Sequence, residues 1–143
     1  SNMKQEFISH STSETEEIAS NFAKQLEKSD FVALFGDLGV GKTAFVRGMA
    51  TTVCNGASVK SPTYTIVNEY RNQNGELFHF DVYRIEDDDD LYSMGFYDYL
   101  KRGICVCEWS ENIPWAIPSN AYRITIERVE QSTEHRRIII ERD

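Results

Sequence analysis

The stretch "FVALFGDLGVGKTAFVRGMA", residues 31–50, joins a short apolar run to a glycine-rich bend and then to residues at helical spacing. Phe31 to Phe35 contains no polar residue and stops at Gly36, the pattern of a strand buried on both faces of a sheet. Residues Lys42 to Val53 read as a helix. Between them, Gly36 to Thr43 fits G-x-x-x-x-G-K-[ST], in the strand, loop and helix order in which that motif holds phosphate. Chance produces such a match in about one of two hundred chains of this length, before the flanking strand and helix are required. Side chains at the glycines would keep amide groups from converging on an anion, so the backbone of Gly36, Asp37, Leu38, Gly39, Val40 and Gly41 is the expected cradle. Lys42 is expected to reach the β- and γ-phosphates as a point charge, and the Thr43 hydroxyl to hold a magnesium ion bridging the same oxygens. The helix beginning near Lys42 adds its positive end. A glycine-rich turn beside an exposed lysine is the competing, purely structural reading.

Outward from this stretch the chain alternates helices and strands. Ser13 with Glu16 forms a capping-box pattern, and Ile18, Ala19, Phe22, Ala23 and Leu26 follow at helical spacing. Thr63 to Tyr70 is rich in β-branched and aromatic residues, Asn72 to Gly75 supplies turn chemistry, and Leu77 to Tyr83 reads as the return strand of a hairpin. Leu91, Met94, Tyr97 and Leu100 form a helical stripe interrupted by Gly95, and Ile104 to Cys107 is a second buried strand ending at Glu108-Trp109. Tyr122 to Val129 and His135 to Glu141 alternate as a closing hairpin around Glu130 to Glu134. The class is α/β with some antiparallel pairing.

The 143 residues suit a single domain, residues 1–143, in which Ser1-Asn2-Met3 reads as a tag-cleavage scar. A formal charge of −8 argues against a surface that grips a phosphate backbone, so any role with nucleic acid is expected to be indirect. The acidic run Glu86 to Asp90 reads as a solvated loop entering a helix N-terminus rather than a metal cluster. Three cysteines without a pairing framework suggest reduced thiols and a cytoplasmic protein, and no signal peptide or membrane-length apolar run is evident.

Neither an N-K-x-D guanine element nor a D-x-x-G switch is present, which favours ATP. No long insertion is available to build the lid of a small-molecule kinase. A second metal partner should close a neighbouring buried strand. Glu108, ending "ICVCE", fits best, and Asp81 in "HFDVYR" could instead position water or join the magnesium shell. Thr63 in "SPTYT" is either a γ-phosphate sensor or a strand threonine. His79 shares the Asp81 face and reads as a packed strand histidine, and Cys105 and Cys107 as buried apolar side chains. Trp109 remains open between core anchor, base platform and docking residue.

Taken in order, "GDLGVGKTAFVRG", "SPTYTIVNEY", "HFDVYRI", "MGFYDYL" and "CVCEWSENI" resemble the TsaE (YjeE) family over roughly residues 11 to 140. The resemblance implies a P-loop NTPase fold, a central mixed β-sheet flanked by helices, with ATP and magnesium bound. It puts Lys42 and Thr43 in the phosphate and metal roles, makes Glu108 the metal-linked carboxylate, and ties Thr63, Asp81 and Trp109 to activity. It also brings Thr12 and Arg136 toward the nucleotide. Family members hydrolyse ATP slowly alone and act with TsaD and TsaB, where TsaD transfers a threonylcarbamoyl group to a tRNA adenosine; the implied role is a nucleotide-driven conformational step. A small-molecule kinase and a non-hydrolysing, nucleotide-gated binding module are the alternatives. Departures are small: Val40 and Ala44 replace a commoner alanine and threonine, Ser110 stands where proline is frequent, and Val40 is expected to add bulk near the phosphates.

Overall fold

Apolar strands of the kind at residues 31–35 need cover on both sides, and the chain supplies it from two sets of helices. The computed structural model describes residues 2–37, 39–57 and 67–143. Its strands are β1 (Met3–Ser9), β2 (Phe31–Phe35), β3 (Val67–Asn72), β4 (Gly75–Asp81), β5 (Ile104–Glu108), β6 (Tyr122–Val129) and β7 (Ser132–Arg142). The helices are α1 (Thr12–Ala23), α2 (Lys42–Val53), α3 (Asp88–Ser93) and α4 (Phe96–Tyr99), and two short 3₁₀ turns, Ser110–Asn112 and Pro114–Ala116, follow β5.

Among the described residues the strands form one seven-stranded sheet in the order β1-β7-β6-β2-β5-β4-β3. The middle of it is parallel, β6 with β2, β2 with β5 and β5 with β4, while β7, β1 and β3 run antiparallel to their neighbours. β2 and β5 lie inside this parallel block and are buried at four of their five positions each, which is why both read as continuous apolar runs. Alternate side chains supply two cores. Val32, Leu34, Leu77, Val106 and Ile124 face α1 and α2 with Phe45 and Met49. Phe31, Ala33, Phe78, Phe80, Cys105 and Cys107 face the other way and pack with Leu91 and Phe96 of α3 and α4.

Several boundaries differ from expectation; the return strand expected over Leu77 to Tyr83, for one, runs Gly75–Asp81. Ser11, not Ser13, caps α1: its hydroxyl accepts the Glu14 N–H at 3.1 Å. The segment holds two overlapping S-x-x-E patterns. The earlier one wins because it lets Thr15 bury its hydroxyl 2.6 Å from that of Ser9. β1 was not expected at all, and it takes in Met3, set aside with the scar. Among the described residues it pairs with β7 alone, and Met3 and Phe7 lean on the core. The stripe from Leu91 to Leu100 is two helices, because Gly95 takes φ 78° between them. β7 begins at Ser132, so the closing turn shrinks to Glu130-Gln131. The expected strand from Thr63 begins at Val67 within the described residues; 63–66 lie outside them.

The acidic run behaves as expected, with Asp87 capping α3 through the Asp90 N–H at 3.0 Å. Burial pushes the Cys54 thiol up to about 11 and those of Cys105 and Cys107 up to about 12. A thiol raised this far stays protonated at pH 8, and only the thiolate attacks. Native protein is therefore expected to resist alkylation at pH 8 until denaturant is added, as mass spectrometry after iodoacetamide would show; rapid labelling of folded chain would contradict this burial.

Candidate functional site

β2 delivers the chain into the bend at Gly36, which takes φ 144°, followed by Gly39 at 81° and Gly41 at 109°. These left-handed values favour glycine. At Gly36 space also decides, since a Cβ there would stand 2.5 Å from the Ile126 carbonyl oxygen of β6. Gly41 is the N-cap of α2, and the first intrahelical bond runs from Phe45 N–H to its carbonyl at 3.0 Å. The amides of Lys42, Thr43 and Ala44 thus belong to the first turn, whose N–H groups helices leave for caps, water or ligands. The Val40 side chain is 2% exposed and packs in the core with Phe45 and Ile126. It therefore adds no bulk beside the loop's open side, contrary to the sequence expectation; the bend turns it inward.

The Lys42 side chain is buried. Its ammonium donates to the Gly36 carbonyl at 2.7 Å and lies 4.5 Å from the centre of the Trp109 ring. Trp109 takes φ 64°, a left-handed value costly for a side chain of this size, and its ring also meets Tyr83 at 4.8 Å. The indole is thus held against the lysine rather than left as a free platform.

A cavity of about 430 Å³ opens over this loop. Gly39, Gly41, Lys42 and Thr43 line it from the loop and α2, Thr12 from the start of α1, and Asp81, Glu108 and Trp109 from the ends of β4 and β5. The two carboxylates arrive together because β4 and β5 are parallel and pair Asp81 with Glu108. Ligands of open α/β sheets gather at such carboxyl ends. The carboxylates differ in their surroundings. Asp81 is exposed and accepts the Tyr83 N–H at 3.0 Å, whereas Glu108 is largely buried with Oε2 2.6 Å from His79 Nε2.

Gly36, Asp37, Val40 and Arg136 do not line the cavity. Arg136, on β7, donates through Nε to the Val40 carbonyl at 2.9 Å and through Nη1 to the Thr133 and His135 carbonyls, so it braces the loop from behind. Leu38 and Thr63 lie outside the described residues. Two lining residues were missed, Ala44 and Arg47. Arg47 stands one helical turn beyond Thr43, spacing that could have found it, and pairs with Glu16 of α1 at 2.8 Å. A slightly larger cavity, about 480 Å³, lies at the opposite end of the parallel strands, among Ala23, Val53 and Ile104. It holds none of the motif residues.

The oxygen donors lining the loop cavity are the hydroxyls of Thr12 and Thr43 and two carboxylates, hard oxygens that suit magnesium shared with phosphate and water. Among the described residues no group of three or more His, Cys, Asp or Glu forms a protein-only metal cage.

The family described as "Threonylcarbamoyl adenosine biosynthesis protein TsaE" matches residues 9–138. A Haemophilus influenzae protein named "tRNA threonylcarbamoyladenosine biosynthesis protein TsaE" is 42% identical over 102 residues, 71% of this chain and 65% of that protein. The Aquifex aeolicus protein of the same name is 41% identical over 108 residues, 74% of this chain and 77% of its own length. The crystal structure of Bacillus subtilis YdiB superposes with a TM-score of 0.77 at 29% identity, covering 99% of this chain and 87% of that one. With its mixed sheet, its phosphate-loop motif and a family match that runs from the end of the first strand into the last strand, this chain belongs to the TsaE family and has a P-loop NTPase-type fold.

Proposed function

We propose that the chain binds ATP with magnesium and hydrolyses it as a subunit of the cytoplasmic system that makes threonylcarbamoyladenosine in tRNA, acting with TsaD and TsaB. The observation that carries this reading is the meeting of Lys42, Thr43, Asp81 and Glu108 on one cavity at the N-terminus of α2. Lys42 would exchange the Gly36 carbonyl for phosphate oxygens, a stronger partner for an ammonium. Thr43 and Glu108 would hold magnesium, which when bound supplies positive charge to the β- and γ-phosphate oxygens. Asp81, exposed at the mouth, would orient water, and Thr63 would answer to the γ-phosphate. Trp109 would keep the lysine in place, while Thr12 would approach the nucleotide from α1 and Arg136 would stiffen the cradle. The acidic surface leaves tRNA contact to the partner proteins. No helix among the described residues is long and apolar enough to cross a membrane.

The test is ATP turnover by the chain alone and with TsaD and TsaB, read beside threonylcarbamoyladenosine formation in tRNA. Stimulation by the partners is expected, and Glu108→Ala should lower the stimulated rate by about 10²-fold, the scale for losing a group that meets developing charge. A partner mixture in which the chain adds neither turnover nor modified adenosine removes the proposal. Equal modification with ATP and a non-hydrolysable analogue would replace it by a nucleotide-gated binding role.

A further inference from the structure

Glu108 is held by a side chain to which no role has yet been given. His79 lies on β4, one strand repeat before Asp81, and its Cα pairs with Val106, one repeat before Glu108 on β5. Residues two apart on a strand share a face, so His79 stands behind both carboxylates on the side of the sheet that α2 covers. Its Nε2 is 2.6 Å from Glu108 Oε2, and the two side chains are 9% and 13% exposed. A carboxylate in this geometry only accepts, so the proton of the contact sits on Nε2. At such burial water competes weakly, and the bond is short and charge-assisted.

The other ring nitrogen decides between packing and positioning. His79 Nδ1 is buried and has no hydrogen-bond partner among the described residues. Buried polar atoms are rarely left so. A residue needed only to fill this space, beside Leu77 on the same strand face, could be an apolar one with no polar atom to strand. The chain instead leaves that nitrogen without a partner among the described residues and obtains one bond, to Glu108. We propose that His79 is a positioning residue: it occupies Oε2 of Glu108 and thereby presents Oε1 to the cavity as the oxygen for a hard cation or its water. Among the described residues Asp81 has no such brace, and its carboxylate accepts the Tyr83 backbone N–H.

This inference rests on the magnesium–nucleotide reading, so its test separates the two. Calorimetry with the full chain measures affinity for a non-hydrolysable ATP analogue in EDTA and with magnesium, and the ratio gives what magnesium adds. His79→Leu is expected to leave the EDTA affinity unchanged and to cut the magnesium gain by about tenfold, the lower end for losing a group that orients a metal ligand. His79→Gln, whose amide reaches as far as Nε2, should keep most of the gain, and His79→Asn, whose amide stops short at the Nδ1 position, should not. That pair of amides of different reach carries the test should the leucine variant fail to fold. In a Glu108→Gln background His79→Leu should cost nothing further.

A full magnesium gain in His79→Leu, equal behaviour of the Gln and Asn variants, or additive losses with Glu108→Gln would each overturn the positioning role alone. A wild-type chain whose affinity magnesium leaves unchanged overturns both this role and the reading beneath it.

Discussion

Lys42→Ala is expected to reduce ATP turnover by about 10²-fold or more, on the scale of other preorganised groups that meet transition-state charge. The side chain is 5% exposed, and its ammonium rests against a carbonyl and an aromatic face, neither of which carries a full negative charge. Its charge is therefore available to a polyphosphate arriving over the first turn of α2. Alanine also removes a packed four-carbon stem, so Lys42→Met serves as the companion variant: it keeps a stem of similar length and loses the ammonium. Both should lose turnover, and the methionine variant should do so while unfolding near the wild-type temperature. Lys42→Arg should not rescue, because a planar fork cannot take the place of a compact ammonium between Gly36 and Trp109. Near wild-type turnover in the methionine variant would remove the ammonium from the mechanism.

The largest structural effect is expected at a glycine with no part in the phosphate cradle. Gly48 lies in the middle of α2, where helix propensity alone makes alanine better by about 1 kcal/mol. A Cβ there would stand 2.2 Å from the Glu16 carbonyl oxygen and 2.8 Å from both Glu16 Cα and Ala19 Cβ. These are backbone atoms and a Cβ of α1, so no flexible chain end can give way. Overfilling a packed contact typically costs about 1–3 kcal/mol, and backbone opposition puts this site at or above the upper end. Gly48→Ala is expected to lose about 2 kcal/mol net and to melt roughly 5–10 °C lower, given the usual dependence of melting temperature on stability for a domain of this size. Thermal and urea unfolding check this. A rise in stability would mean that propensity outweighs the contact and that the two helices can move apart freely. Such separation would also disturb Arg47 and Thr12, which α2 and α1 carry to the cavity.

Some elements declared themselves in the sequence for a physical reason. β2 and β5 are buried on both faces, so their patterns lack the ambiguity of half-exposed strands, and the hairpins carry their own turn residues. β1 did not, because it is an edge strand. Edges are kept polar against unwanted pairing, and Lys4, Gln5 and Glu6 hide a strand that only its register with β7 reveals. The motif spacing announced Lys42 and Thr43, and the rule that acidic residues close buried strands pointed to Glu108 and Asp81. The bond from His79 to Glu108 joins residues 29 positions apart and depends on how β4 slides along β5. No local pattern encodes that register. The inward turn of Val40 was hidden for a similar cause: the core it joins includes Ile126, more than eighty positions away.

The brace behind the phosphate loop comes from the C-terminal hairpin. Gly36 is seated against the backbone of β6, and Arg136 of β7 grips the Val40 carbonyl across 96 positions of chain. Synthesis is vectorial and domains tend to fold as their segments emerge, yet here an early-made cradle waits for a late-made support. A nascent chain can bring β2 and α2 together well before β7 leaves the ribosome, with β1 lacking its neighbour for the same interval. The loop's final shape thus waits for β6 and β7, which are made well after it.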